Sequence, residues 1–245
     1  LVTGPTGSGK STTLYATLGD VAKPEINIIT VEDPVEFRMR GINQVQVNNK
    51  AGMTFAAALR SILRADPHVV LIGEIRDQAT ANIAIEASLT GHLVLSTLHT
   101  NDAPSAVTRL TAMGVEPFLL SSSLAAVMAQ RLARRLCKKC KRQDTATEAE
   151  LRTLGVPHMP DTPLPTIWRP VGCRECANTG YSGRVAIQQV MGVDSTMEDL
   201  IARGATSIDI DKAAKEQGMT TLRKDGWQKA LQGITSVEEV LRVTV

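Results

Sequence analysis

Residues 4–12 read Gly4-Pro5-Thr6-Gly7-Ser8-Gly9-Lys10-Ser11-Thr12 and satisfy the phosphate-loop pattern G-x-x-x-x-G-K-[ST] at every position. Such a loop leaves a β-strand and opens a helix, because its inward-turned backbone N–H groups and the helix N-terminus together hold anionic phosphates. The apolar stub Leu1-Val2 precedes it, and a helix-prone stretch from Lys10 to Leu18 follows. The pattern assigns Lys10 to the β- and γ-phosphates and the Ser11 hydroxyl to Mg²⁺. The plainer alternative is a Gly-rich turn. A strand entering such a loop usually has about five residues. Here only two precede it and there is no initiator Met, so the chain reads as the C-terminal part of a longer protein, with its first strand cut short.

The next 120 or so residues alternate β-branched runs with helical patterns, the rhythm of a largely parallel α/β sheet. Strand candidates are Ile26 to Val31, Val69 to Ile72 and His92 to Thr97. Helix candidates are Thr54 to Ala65, with Phe55, Leu59, Ile62 and Leu63 on one face, Gln78 to Leu89, and Ala103 to Met113 capped by Asp102. Five of the eleven prolines then fall within 157–170 (Pro157, Pro160, Pro163, Pro165, Pro170), and the spacing predicts no regular structure there. Gly183 to Ile187 reads as a strand returning to the sheet. The last 50 or so residues read as helical, with Ser207 and Thr220 as N-caps, Gly233 as a stop and Ser236 to Glu239 as a capping box. The expected domains are a core over 1–136, completed by a strand near 183–192, an insert over 137–182 and a helical segment over 193–245.

Composition excludes several classes. A chain of 245 residues, 43% hydrophobic and 21% charged with net charge +2, is not compositionally disordered. The longest apolar stretch, Phe118 to Ala129, carries three serines and falls short of the roughly 20 residues of a spanning helix. Aromatic residues at 3% argue against a base-stacking surface.

Carboxylates stand where a nucleotide site needs them. The run Val69-Val-Leu-Ile-Gly73-Glu74 occupies the place of a second nucleotide motif, with Gly73 where a metal-binding Asp is usual. Glu74 at the strand end is suited to polarising the attacking water; pairing with Arg76 is the plain alternative. Glu32 and Asp33 are the other carboxylates available to Mg²⁺, or else turn caps before Pro34. His99, at the end of its strand, is placed to sense a γ-phosphate, whereas His92 lies one strand-length away. Either histidine is also readable as a satisfied polar group.

The four cysteines form two pairs, Cys137-x-x-Cys140 and Cys173-x-x-Cys176, the spacing of a tetrahedral Cys₄ zinc site. Two disulfides or free thiols are the alternatives. Arg131, Arg134, Arg135, Lys138, Lys139, Lys141 and Arg142 crowd the first pair, a field that favours thiolates, or else binds nucleic acid or anionic lipid. The proline-rich loop offers little apolar surface, so zinc is expected to replace a hydrophobic core in this lobe.

Four segments in order, Gly4 to Thr12, Thr30-Val-Glu-Asp-Pro-Val-Glu36, Leu71-Ile-Gly-Glu-Ile-Arg-Asp77 and Ser96-Thr-Leu-His-Thr-Asn101, resemble the Walker A, Asp box, atypical Walker B and His box of the secretion ATPases, the motors of type II secretion and type IV pilus assembly. The resemblance extends through Gly180-Tyr-Ser-Gly-Arg184 to the tail at Arg242. It implies a RecA-like fold with a Cys₄ zinc insert and a C-terminal helical segment. It also implies a homo-hexameric ring using ATP, Mg²⁺ and Zn²⁺, and an inner-membrane platform protein and a cytoplasmic adaptor as partners. The expected place is cytoplasmic and peripheral at the inner membrane, with membrane association only through partners and no nucleic acid. In that family Gly73 is no departure, a Cys₄ insert marks assembly and secretion rather than retraction motors, and charge-stabilising arginines precede the phosphate loop. The competing readings are a RecA-like nucleic-acid motor, such as a helicase or recombinase, and a non-catalytic nucleotide-binding scaffold.

Overall fold

A computed structural model describes residues 1–159 and 162–244; Pro160 of the proline-rich stretch lies outside them. In chain order the elements are β1 (Val2–Thr3), α1 (Lys10–Val21), β2 (Ile28–Glu32), β3 (Asn43–Gln46), α2 (Phe55–Ile62), β4 (Val69–Ile72), α3 (Gln78–Leu89), β5 (Leu93–Leu98), α4 (Pro104–Ala112), α5 (Pro117–Ser123), β6 (Ala126–Leu136), β7 (Arg142–Thr145), α6 (Glu148–Leu154), β8 (Thr166–Arg169), β9 (Tyr181–Gly192), α7 (Ser195–Ala202), α8 (Ser207–Glu216), α9 (Leu222–Leu231) and α10 (Val237–Val243). They fall into two units: Leu1–Thr6, Lys10–Ala129 and Val190–Gly218; and Gly7–Gly9, Gln130–Gln189 and Met219 onward.

The first unit carries the sheet, ordered β3-β2-β4-β5-β1-β6-β9, to which β6 contributes its residues up to Ala129 and β9 those from Val190. Strands β3, β2, β4, β5, β1 and β6 pair in parallel. β2 and β4 are buried along their whole length, as strands of a sheet covered on both faces must be. Leu14, Tyr15 and Leu18 of α1 pack with Val2, Ile28, Val69 and Leu71. In α2 the residues Phe55, Ala58, Leu59 and Ile62 are buried at helical spacing, and the Thr54 hydroxyl caps the helix by accepting from Ala57 N–H. Each such large side chain contributes roughly 1.5–3 kcal/mol by leaving water.

The second unit pairs β7 with β8 antiparallel and has its own apolar core. Ala133, Ala146, Leu151, Leu154, Ile167, Ile187, Trp227, Ala230, Val237 and Val240 are buried together. This corrects the expectation that metal replaces a core here. It also corrects the reading of 157–170 as wholly irregular. β8 fits between Pro165 and Pro170, where the ladder needs no proline N–H, and sends Ile167 inward.

Helix starts differ from expectation by small shifts in chemistry. Thr206 and Thr221, not Ser207 and Thr220, are the N-caps of α8 and α9. α4 opens at Pro104 with Ala103 at the cap position, and Asp102 still accepts from Ser105 N–H at 2.8 Å. Ser236 caps α10, but the expected box is not reciprocal, because the Glu239 carboxylate turns to arginines instead. It accepts from Arg134 Nη2 and Arg242 Nη2, both at 2.7 Å, and from Arg134 N–H at 2.8 Å.

Glu239 is only 2% exposed. Burial raises its carboxyl pKa, but the bonds from Arg242 and Arg134 outweigh that and take it from 4.5 down to about 2. A depressed carboxyl contributes stability above its unfolded pKa and loses it as pH falls towards the folded value. Acid unfolding of the protein should therefore include a component between about pH 4.5 and 2 worth about 3 kcal/mol. The Glu239→Gln variant should lack that component while being less stable at pH 7; identical acid titrations, followed by circular dichroism, would refute the assignment.

Candidate functional site

Parallel pairing brings one end of the sheet together. Val31 faces Ile72, Ile72 faces Ser96, and Val2 and Thr3 face Thr97 and Leu98. The residues that follow on β2, β4, β5 and β1, namely Asp33, Glu74, His99 and Gly4, thus emerge side by side at the C-terminal strand ends, where open α/β sheets take their ligands. Sequence reasoning named all four separately, and the strand order is what joins them. Gly73 permits the close approach of β4 to β2: a Cβ there would sit 3.3 Å from Glu32 Cα and 3.4 Å from the Val31 oxygen. Thr97 Oγ1 donates to Gly73 O at 2.7 Å, tying the start of the Glu74 turn to β5.

Lys10 opens α1 and donates from Nζ to Gly4 O at 2.9 Å and Pro5 O at 3.2 Å, so the loop closes on its own lysine. Pro5, Thr6, Gly7, Ser11 and Thr12 line the loop exposed. Gly9, at φ 86°, takes a conformation that other residues rarely adopt, and a Cβ there would meet Gln130 Nε2 at 3.0 Å. The same Gln130 amide donates to Ser8 O at 2.7 Å. Gln130, which fixes the loop backbone from 122 residues away, had no local sequence signal.

Glu74 is 20% exposed and accepts from Arg76 Nη2 at 2.5 Å. Its other oxygen lies 3.5 Å from His99 Nε2. Arg76, 53% exposed, also donates to Asp33 Oδ2 at 3.3 Å. The Arg76 bond, opposed by burial, holds the Glu74 carboxyl below its ordinary value. The pairing of Glu74 with Arg76 is therefore present; the Arg76–Asp33 contact is one that sequence reasoning missed.

Glu32 is buried within a polar network. It accepts from Thr30 Oγ1 at 2.6 Å, from Gln44 Nε2 at 3.2 Å and from the Tyr15 hydroxyl of α1. Burial, then the Glu32 carboxylate, push the Tyr15 hydroxyl up to about 12, so it remains a donor. Tyr15 thus links the helix behind the phosphate loop to the end of β2. His92 Nδ1 lies 2.9 Å from Ala87 O and 3.1 Å from Thr90 Oγ1 at the opposite end of β5 from His99.

In the second unit the four cysteines converge, with one sulfur from each within 4.8 Å of the others. Cys137–Cys173, Cys140–Cys176 and Cys173–Cys176 sulfurs are 3.9, 3.8 and 3.7 Å apart. Disulfides require about 2.05 Å, and the cysteines are free. A tetrahedron with about 2.3 Å metal–sulfur bonds has sulfur–sulfur edges of about 3.8 Å, so the donor set fits Zn²⁺. The donors that reach the sulfurs are backbone amides: Gly172 N–H to Cys140 at 3.3 Å, and Cys173 and Gly180 N–H to Cys176 at 3.2 Å each. Burial pushes the Cys176 thiol up, but the Cys173 and Gly180 amides together with the Cys173 and Cys140 sulfurs bring it below the ordinary range, whereas burial pushes the Cys140 thiol up. Gly180 sits at φ 77° and a Cβ there would lie 2.5 Å from Pro170 Cβ. Three of the seven basic side chains expected to favour thiolates have other partners: Arg134 turns to Glu239, Lys139 to Glu175 at 3.4 Å, and Lys141 to Gly233 O and over the Trp168 ring.

A family model described as type II/IV secretion system protein matches residues 1–242. The type II secretion system protein E of Aeromonas hydrophila is 53% identical over 244 residues, covering 100% of this chain and 48% of the relative. The type IV pilus assembly ATPase PilB of Thermus thermophilus is 51% identical over 245 residues, covering 100% of this chain and 27% of the relative. The crystal structure of the pilus retraction motor PilT with bound ADP superposes with TM-score 0.72 at 26% identity, covering 98% of this chain and 59% of that one. The chain spans about half the length of the type II relatives it matches. Among the described residues no helix is long and apolar enough to cross a membrane.

Proposed function

The chain belongs to the type II/IV secretion system protein family, and on that premise we propose that it binds Mg-ATP at residues 4–12 and hydrolyses it to drive pilus or secretion pseudopilus assembly. The observation that carries this is the strand register, which sets Gly4 beside His99 and in line with Glu74 and Asp33. In this reading Gly4, Pro5, Thr6, Gly7, Ser8, Gly9, Ser11 and Thr12 cradle the phosphates, and Lys10 offsets the charge of the transferring group. Ser11 would hold Mg²⁺, which supplies charge neutralisation there, with Asp33 and the network-held Glu32 as the carboxylates that favour a cation. Glu74 takes the proton of the attacking water as its oxygen bonds to the γ-phosphorus and the bond to the β-phosphate oxygen breaks. His99, within reach of Glu74, orients that carboxylate and senses the γ-phosphate.

The same reading extends to architecture and place. The first unit serves as a RecA-like core; Cys137, Cys140, Cys173 and Cys176 hold a structural Zn²⁺ in an insert over 137–182, and 193–245 forms the helical segment. The working form is a homo-hexamer acting at the cytoplasmic side of the inner membrane through a platform protein and an adaptor. Relatives more than 50% identical are named for secretion and pilus assembly, which supports assembly rather than retraction.

The test is ATP turnover measured alone, with single-stranded DNA, and with the purified platform protein. Stimulation by the platform protein is expected. Stimulation by DNA alone would favour a nucleic-acid motor and overturn the proposal.

A further inference from the structure

In the reading above Glu74 is the base, yet both of its oxygens face nitrogen groups: Arg76 Nη2 at 2.5 Å on one and His99 Nε2 at 3.5 Å on the other. A hydrogen bond from a cation stabilises the ionised carboxylate and weakens it as a proton acceptor. Turnover therefore needs Arg76 to let go. Three observations indicate what draws it away.

First, the Arg76 side chain is half exposed and bridges two carboxylates, Glu74 and Asp33, whose own exposures are 20% and 33%. It has room to turn without disturbing a core. Second, Arg76 follows β4 by four residues, and its partners Asp33 and Glu74 lie in the strand-end row that includes Gly4. The phosphate loop starts in that same row. Third, a guanidinium fork matches a phosphate as well as it matches a carboxylate, and a terminal phosphate brings more charge and more acceptor oxygens.

We propose that Arg76 exchanges between the Glu74–Asp33 carboxylate pair and the terminal phosphate of a nucleoside triphosphate, so that a triphosphate, but not a diphosphate, frees Glu74. Arg76 is then both the discriminator of substrate from product and a charge on the transferring group contributed from within this chain. The family resemblance had pointed upstream of the phosphate loop for such arginines, and this inference adds one downstream. It rests on the proposed nucleotide site and is separable from it.

The experiment is calorimetric binding of Mg-ADP and of a non-hydrolysable Mg-ATP analogue to the unaltered protein, Arg76→Ala and Arg76→Lys. Arg76→Ala should weaken the analogue at least about 10-fold, the size of a lost charge-assisted pair, and leave ADP within about twofold. Arg76→Lys should recover part of the difference. Unchanged ADP binding also reports that the variant is folded. Equal weakening of both nucleotides, or of neither, would overturn the exchange while leaving the nucleotide site standing. Failure of the unaltered protein to bind either nucleotide would instead remove the proposed function, and the exchange with it.

Discussion

Replacing Glu74 by Gln is expected to lower ATP turnover by about 10²–10⁴, the usual contribution of a positioned general base, with nucleotide affinity retained. Gln keeps the shape and an acceptor oxygen towards Arg76 but has no basic carboxylate. Lys10→Ala should act differently. It removes the cation that offsets charge on the transferring phosphoryl group, and turnover should fall by at least about 10²-fold. Nucleotide binding should weaken too, because Nζ then no longer answers the phosphates. The pair of variants separates chemistry from binding. Phosphate release and equilibrium nucleotide binding, measured on both, check it. If Glu74→Gln loses affinity but keeps its turnover per bound nucleotide, Glu74 is a structural partner of Arg76 and His99 rather than the base. If Lys10→Ala turns over normally, the phosphate loop is not the reacting site.

The contrast also explains which parts of the site were legible beforehand. The loop at 4–12 and the strand-end carboxylates could be read because their signal is local: glycine, lysine and serine at fixed offsets, or a charge ending an apolar run. β4 and α3 fall where the sequence placed them, since Val69–Ile72 is a short wholly apolar run and Asp77 caps the helix that follows. What escaped is contact at long range. Tyr15 is buried on α1, and nothing near it in the sequence announces a bond to Glu32. Gln130 lies in β6, of which the apolar stretch Phe118 to Ala129 covers only the first four residues. The core of the second unit was missed for a related reason. Its members come one or two at a time from β6, α6, β8, β9, α9 and α10, with Ala146 just before α6, so no one segment shows the apolar face that only assembly creates. Likewise Ser236 and Glu239 have the spacing of a capping box, but two arginines, one of them 105 residues away, offer the carboxylate stronger partners than a single amide.

Zinc is expected at about one equivalent per chain, and its loss should be felt locally rather than throughout. The cysteine sulfurs already stand at tetrahedral spacing, and backbone amides, not lysines or arginines, are aimed at them. Metal binding to such a site contributes apparent free energies of roughly 10–16 kcal/mol in peptides that have little else to hold them. Here the second unit retains ten buried apolar residues that do not depend on the metal apart from the loops it joins. The stabilisation should therefore concentrate in the two turns. In a Cys176→Ser variant, or after chelation, the amides of Lys141, Asn178 and Gly180, which bond to Cys137 O, Cys173 O and Cys176 Sγ, should exchange at least about 10²-fold faster. Amides of β4 and β5 should keep their protection. Zinc retention should also fall on acidification, as protons compete for the thiolates. Elemental analysis and hydrogen exchange test this directly. Absence of zinc from protein purified without chelators would overturn the metal assignment. Unchanged exchange at those three amides in Cys176→Ser would show that the apolar core, not the metal, holds the turns.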